Sequence, residues 1–123
     1  MQKVKRELGD DADRVRFIWI TVDPERDSAA SLKTRLDVFD PEFIALTGTR
    51  KSLESVWDMF RVQVEIDDSQ SSAAGYLISH TANTYLVDSS GKVHLEFPFG
   101  TAPTNITQDI KNILKQTETR AKK

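Results

Sequence analysis

The run Val15–Val22, reading VRFIWITV, is almost continuously apolar from Phe17 to Ile20. A strand with one wet face alternates apolar and polar residues, whereas one without alternation is covered on both faces. The run therefore predicts an interior strand of a parallel sheet, and parallel strands need crossover helices to connect them. The next segments supply that grammar. In Ser28–Phe39, Leu32, Leu36 and Phe39 fall at i, i+4 and i+7, the stripe of a helix buried along one side, with Asp27 or Ser28 as its cap. Asp40-Pro41 breaks it, Phe43–Leu46 reads as a second short strand, and Thr47-Gly48-Thr49 turns into another helix. There Leu53, Val56, Trp57 and Phe60 again form one stripe. With a short helix over Met1–Leu8 and an acidic stop at Gly9–Asp13, the fold class is α/β.

The second half turns on Tyr76–Gly100. Thr84–Val87 is rich in β-formers, and Val93, Leu95 and Phe97 alternate with Lys92, His94 and Glu96. Between them Asp88-Ser89-Ser90-Gly91 has hairpin-turn chemistry, because Asp and Ser favour the start of a turn and Gly tolerates positive φ. Val62–Ile66 reads as a short edge strand, and Asp67–Gly75, polar and aperiodic, as a surface loop. Pro103 opens a last helix whose buried face is Ile106, Ile110, Ile113 and Leu114. Residues 1–115 read as the folded domain and 116–123 as a polar tail.

Composition excludes several functions. A net charge of −2 over 123 residues gives no field for nucleic acid, and no run is long and apolar enough for a membrane span. The chain has no cysteine, which removes disulfides, thiolate ligands, Cys nucleophiles and thiol redox chemistry from these residues. His80, between a loop and a strand, is the side chain best placed to project into a site, yet one imidazole does not hold a metal tightly. His94, alternating with Lys92 and Glu96, is expected on the solvent face. Asp23, Glu25 and Asp27 read as a strand stop and as acids favouring the following helix's positive end, in preference to a cation site. Asp67-Asp68-Ser69 lacks the glycine and terminal Glu of a calcium loop.

The string Thr21-Val22-Asp23-Pro24-Glu25-Arg26-Asp27, followed by Phe43–Gly48, by His80-Thr81-Ala82 and by Phe97-Pro98-Phe99-Gly100-Thr101, resembles the Sco/SenC family of copper-binding proteins. The resemblance runs from about Met1 to Leu114. It implies a thioredoxin-like sheet flanked by helices and a role in assembling the copper centre of cytochrome c oxidase, as copper metallochaperone, as thiol reductant, or both. It implies partners such as the oxidase copper subunit or another copper chaperone, and a membrane-tethered location in the periplasm or mitochondrial intermembrane space. The family's site is a Cys-x-x-x-Cys pair with one distant histidine, and His80 looks like that copper histidine. Soft thiolates hold Cu(I), and an imidazole added to them accommodates Cu(II) as well.

The resemblance also implies a departure. The cysteine pair belongs just upstream of Met1–Leu8, which resembles the tail of the helix that follows it. The expectation is a domain lacking its N-terminal strand or strands and its copper loop, with no copper bound tightly and no enzyme activity of its own. Two apolar sheet edges would then be open to pair with a second copy. Two alternatives stay open: a thiol–disulfide oxidoreductase or peroxidase-like member of the thioredoxin superfamily, and a redox-silent interaction module.

Overall fold

The computed structural model describes residues 1–72 and 75–122. They form two compact units, Met1–Phe17 with Asn83–Lys123, and Ile18–Ala82.

In the first unit, helix α1 (Gln2–Leu8) leads into a 3₁₀ helix at Gly9–Arg14. The acidic stop is thus helical, and Gly9, at a φ of 60°, makes the change of winding. Strands β5 (Thr84–Val87) and β6 (Val93–Phe97) pair antiparallel, with Thr84 opposite Phe97 and Leu86 opposite Leu95. Their turn forms as its residues predict. Gly91, at a φ of 87°, returns its N–H to the Asp88 carbonyl, and the register shifts by a bulge at Val87. Helix α4 (Pro103–Ala121) has proline in its first turn and carries its helical winding on through the polar residues from Gln116.

Val4 and Leu8 on α1, Phe97 on β6, and Ile106 and Ile110 on α4 make the core of this unit. Polar side chains tie α1 to α4. Thr107 Oγ1 donates to Glu7 Oε2 at 3.0 Å, and Lys111 Nζ donates to the Glu7 carbonyl at 2.9 Å. The second bond satisfies one of the carbonyls that α1 leaves open at its end.

In the second unit, β1 (Ile18–Ile20) pairs parallel with β2 (Ile44–Leu46), Trp19 opposite Ala45. The parallel pairing is the one predicted, but the strand is shorter than Val15–Val22 and is not covered on both faces. Ile18 is 53% and Trp19 51% exposed, because among the described residues the sheet holds only these two strands.

Helix α2 (Ala29–Asp37) joins β1 to β2, burying Leu32 and Leu36 while leaving Phe39, beyond its end, exposed. Ser28 caps it, accepting from the Ser31 N–H at 3.1 Å. Ser28→Ala should therefore lower stability by about 1 kcal/mol, read as a shifted urea midpoint at unchanged slope. Helix α3 (Arg50–Met59), capped by Thr49, buries Leu53 and Trp57.

A larger difference follows α3. In place of a short strand and a loop, β3 (Val64–Ser72) and β4 (Gly75–His80) form an antiparallel hairpin, with Val64 opposite His80 and Ile66 opposite Ile78. Ala73 and Ala74, within the predicted loop, lie outside the described residues. Polar β3 has low strand propensity, so its ladder with β4 decides its form.

Candidate functional site

His80 is the last residue of β4 and is exposed. Its ring is oriented from the backbone: Nδ1 stands 2.9 Å from the Thr81 carbonyl oxygen. Thr81 is itself held across the hairpin. Its N–H donates to the Gln63 carbonyl at 3.0 Å, and its Oγ1 accepts from the Gln63 N–H at 3.1 Å. The imidazole thus sits between the Val64–His80 pair of the ladder and this reciprocal clasp. Among the described residues, no three His, Asp or Glu side chains converge as metal ligands. One imidazole with no cysteine in the chain does not make a tight copper site.

The acids after β1 serve as anchors, and each is taken by a different arginine. Asp23 pairs with Arg26, Glu25 with Arg50 and Asp27 with Arg35. These acids were expected to favour the positive end of the following helix, but the first turn of α2 carries no acid, and arginine pairing takes them up instead. Glu25 accepts from Arg50 Nε at 2.7 Å and from its Nη2 as well, a fork that holds the carboxyl below its usual range.

Thr21 is the hub. Its N–H donates to the Leu46 carbonyl at 3.1 Å and its hydroxyl to Asp27 Oδ2 at 2.5 Å. Its Oγ1 also accepts from the Asp23 N–H at 2.9 Å, and its carbonyl accepts from Trp57 Nε1 at 3.1 Å. Every polar group of this buried residue is used.

Asp23 and its partner Arg26 also reach the hairpin. Tyr76 Oη, on β4, donates to Asp23 Oδ1 at 2.6 Å, and Arg26 Nη1 donates to the Tyr76 carbonyl at 3.0 Å. The Arg26 guanidinium also lies 4.1 Å from the Tyr76 ring centroid. Burial pushes the Asp23 carboxyl up, but the Tyr76 hydroxyl and Arg26 outweigh it and leave the pKa lowered. Its bond to Asp23, helped by desolvation, raises Tyr76 above the usual phenol value.

Asp23's contribution is complete above the unfolded value of about 4 and is lost as pH falls through its lowered folded value. Tyr76's contribution is complete below about pH 10 and is lost as pH rises through its raised folded value. Tyr76→Phe should abolish the alkaline contribution and move the acid midpoint upward, in circular dichroism melts across pH.

His94 differs from expectation. It is half-buried, and its Nε2 lies 2.8 Å from Asp88 Oδ2. Asp88 Oδ1 accepts from the Ser90 hydroxyl at 2.6 Å and from the N–H groups of Ser90 and Lys92 at 2.9 and 3.0 Å. Ser90's hydroxyl, His94 and these amides hold the carboxyl far below the carboxylate range. The strand β6 was legible, but its burial does not alternate as expected, since Val93 is exposed, and the turn acid reaching across to His94 was not legible. His94 is part of the turn's own wiring.

The described helices include none long and apolar enough to cross a membrane. The SCO1/SenC family model matches residues 1–115. A SCO2-like protein of Rickettsia conorii is 35% identical over 98 residues, covering 77% of this chain and 46% of its own length. The mitochondrial SCO1 protein of Saccharomyces cerevisiae is 35% identical over 75 residues, 61% of this chain and 25% of its own. The chain spans about half the length, or less, of the curated relatives it matches.

Among solved structures, Bradyrhizobium japonicum ScoI with copper bound is 34% identical, with a TM-score of 0.77, over 90% of this chain and 69% of that one. Yeast Sco1 with copper bound is 26% identical, with a TM-score of 0.78, over 99% of this chain and 71% of that one. The chain shares their fold, the thioredoxin-like α/β arrangement of Sco proteins.

Proposed function

Because the chain belongs to the SCO1/SenC family, we propose that it is the histidine-bearing part of a copper metallochaperone that serves cytochrome c oxidase assembly. Copper is its cargo, and the protein performs no enzymatic turnover on this reading. His80 supplies the imidazole, and two thiolates from outside these 123 residues complete the site. The observation that carries the reading is the placement of His80, exposed at the end of β4 with Nδ1 against a backbone carbonyl. The other ring nitrogen is then free of that bond and open to a metal. The copper held by the ScoI and Sco1 structures supports it.

Its partners on this reading are the oxidase copper subunit or an upstream copper chaperone, in a compartment outside the cytoplasm. Two thiols beside His80 would also let the longer protein reduce oxidase cysteines. We take residues 1–115 as the domain and the polar residues from Gln116 as its tail. The half-exposed Ile18 and Trp19 favour association of copies through the β1 edge. Light scattering over a concentration series tests that, and a monomer at every concentration excludes it.

The absence of cysteine favours one second reading, a redox-silent interaction module. The reading frame upstream of Met1 decides. A Cys-x-x-x-Cys pair followed by proline supports the copper chaperone, and a Cys-x-x-Cys or a lone reactive cysteine favours a thiol enzyme. A start at Met1 leaves the interaction module.

A further inference from the structure

We infer that Thr81 is the positioning residue of His80, holding its imidazole in the Nδ1–H tautomer so that Nε2 presents the coordinating lone pair. The inference rests on the reading of His80 as a copper ligand, and it names the atom and the residue that prepares it. A carbonyl oxygen only accepts hydrogen bonds, so the 2.9 Å contact from His80 Nδ1 to the Thr81 oxygen requires the proton on Nδ1. A solvated neutral histidine prefers the opposite tautomer. Reversing that preference on an exposed ring takes an acceptor fixed in place.

The hairpin fixes it. Residues 80 and 81 lie where the β3–β4 ladder has just ended, a position where backbone ordinarily frays. Here the Gln63–Thr81 pair extends the order by one step, and one of its two bonds comes from the Thr81 side chain. The hydroxyl therefore acts on the ring indirectly, by holding the peptide whose carbonyl meets Nδ1. Such backbone-to-imidazole bonds set which nitrogen of a metal-binding histidine is available.

His94 provides an internal contrast. Its Nε2 faces the Asp88 carboxylate at 2.8 Å, which assigns it the Nε2–H tautomer. The two histidines of the chain are thus expected in opposite forms.

The test is a long-range proton–nitrogen correlation spectrum of the nitrogen-15-labelled 123-residue chain, without metal, at a pH where both rings are neutral. His80→Gln assigns the signals. The expected result is an Nδ1–H pattern for His80 and an Nε2–H pattern for His94. In Thr81→Val the His80 pattern should move to a majority of Nε2–H, and Thr81→Ser should restore it. His94 should stay unchanged throughout, and the fluorescence of Trp19 and Trp57, in the same unit as His80, should match the parent's, showing that this unit is intact. Nε2–H at His80 in the parent chain overturns the inference, and so does a Thr81→Val spectrum identical to the parent's. Because no copper is present, this outcome is independent of whether His80 binds copper.

Discussion

Replacing Trp57 with alanine should destabilise the Ile18–Ala82 unit by about 3–5 kcal/mol, the usual cost of deleting a buried aromatic side chain. Trp57 is 7% exposed on α3, and its indole N–H donates to the Thr21 carbonyl. Truncation leaves a cavity and also strips a buried carbonyl of its partner, which adds about 1–3 kcal/mol. A domain of this kind is stable by only about 5–15 kcal/mol, so much of that margin goes.

Trp57→Phe separates the two effects. It keeps most of the ring and loses only the N–H, so its cost should fall in the lower range, about 1–3 kcal/mol. Urea unfolding followed through the remaining Trp19 would read both variants. Equal costs for alanine and phenylalanine would mean that the hydrogen bond outweighs packing at this site.

The second large effect concerns copper. The 123-residue chain should hold no copper tightly, because an isolated imidazole is one ligand where a stable site needs three or four. In a polypeptide that carries the cysteine pair ahead of α1, affinity should rise and then depend on His80. Removing a partner that merely supports a ligand costs roughly 10–100-fold in metal affinity, so losing the ligand itself should cost at least that. Cu(II) should be affected more than Cu(I), since thiolates alone satisfy the softer ion and the imidazole is what suits the harder one.

How far the sequence carried this reading depends on whether each determinant is local. The β5–β6 hairpin was legible because Asp88 and Gly91 dictate a turn from within four residues, with β-formers before it and apolar residues at every second position after it. The helices were legible from their stripes. Leu32 with Leu36, and Leu53 with Trp57, are buried as their spacing requires. The length and cover of β1 were not legible, because an apolar run reads the same whether or not neighbouring strands cover it. Beyond Ile66 nothing in the residues of β3 announces a strand, since that part exists through pairing with β4.

The site follows the same division. His80 was found from its place before the hairpin and from the motif around it. Its orientation was hidden, because it depends on Gln63, which meets Thr81 from 18 residues away. The acids of the Asp23–Asp27 string were visible, yet their partners Arg50 and Tyr76 lie 25 and 53 residues distant. Paired charges at such separations carry no periodicity. They are seen only once the chain is folded.

The most direct measurement is a competition titration with copper on three polypeptides: the 123-residue chain, the chain with a Cys-x-x-x-Cys segment joined ahead of α1, and that extended form with His80→Ala. The account predicts no stoichiometric site surviving competition in the first and one per molecule in the second. In the third, Cu(II) affinity should fall at least tenfold to a hundredfold. A tight site in the unextended chain, or an extended form indifferent to His80→Ala, would contradict it.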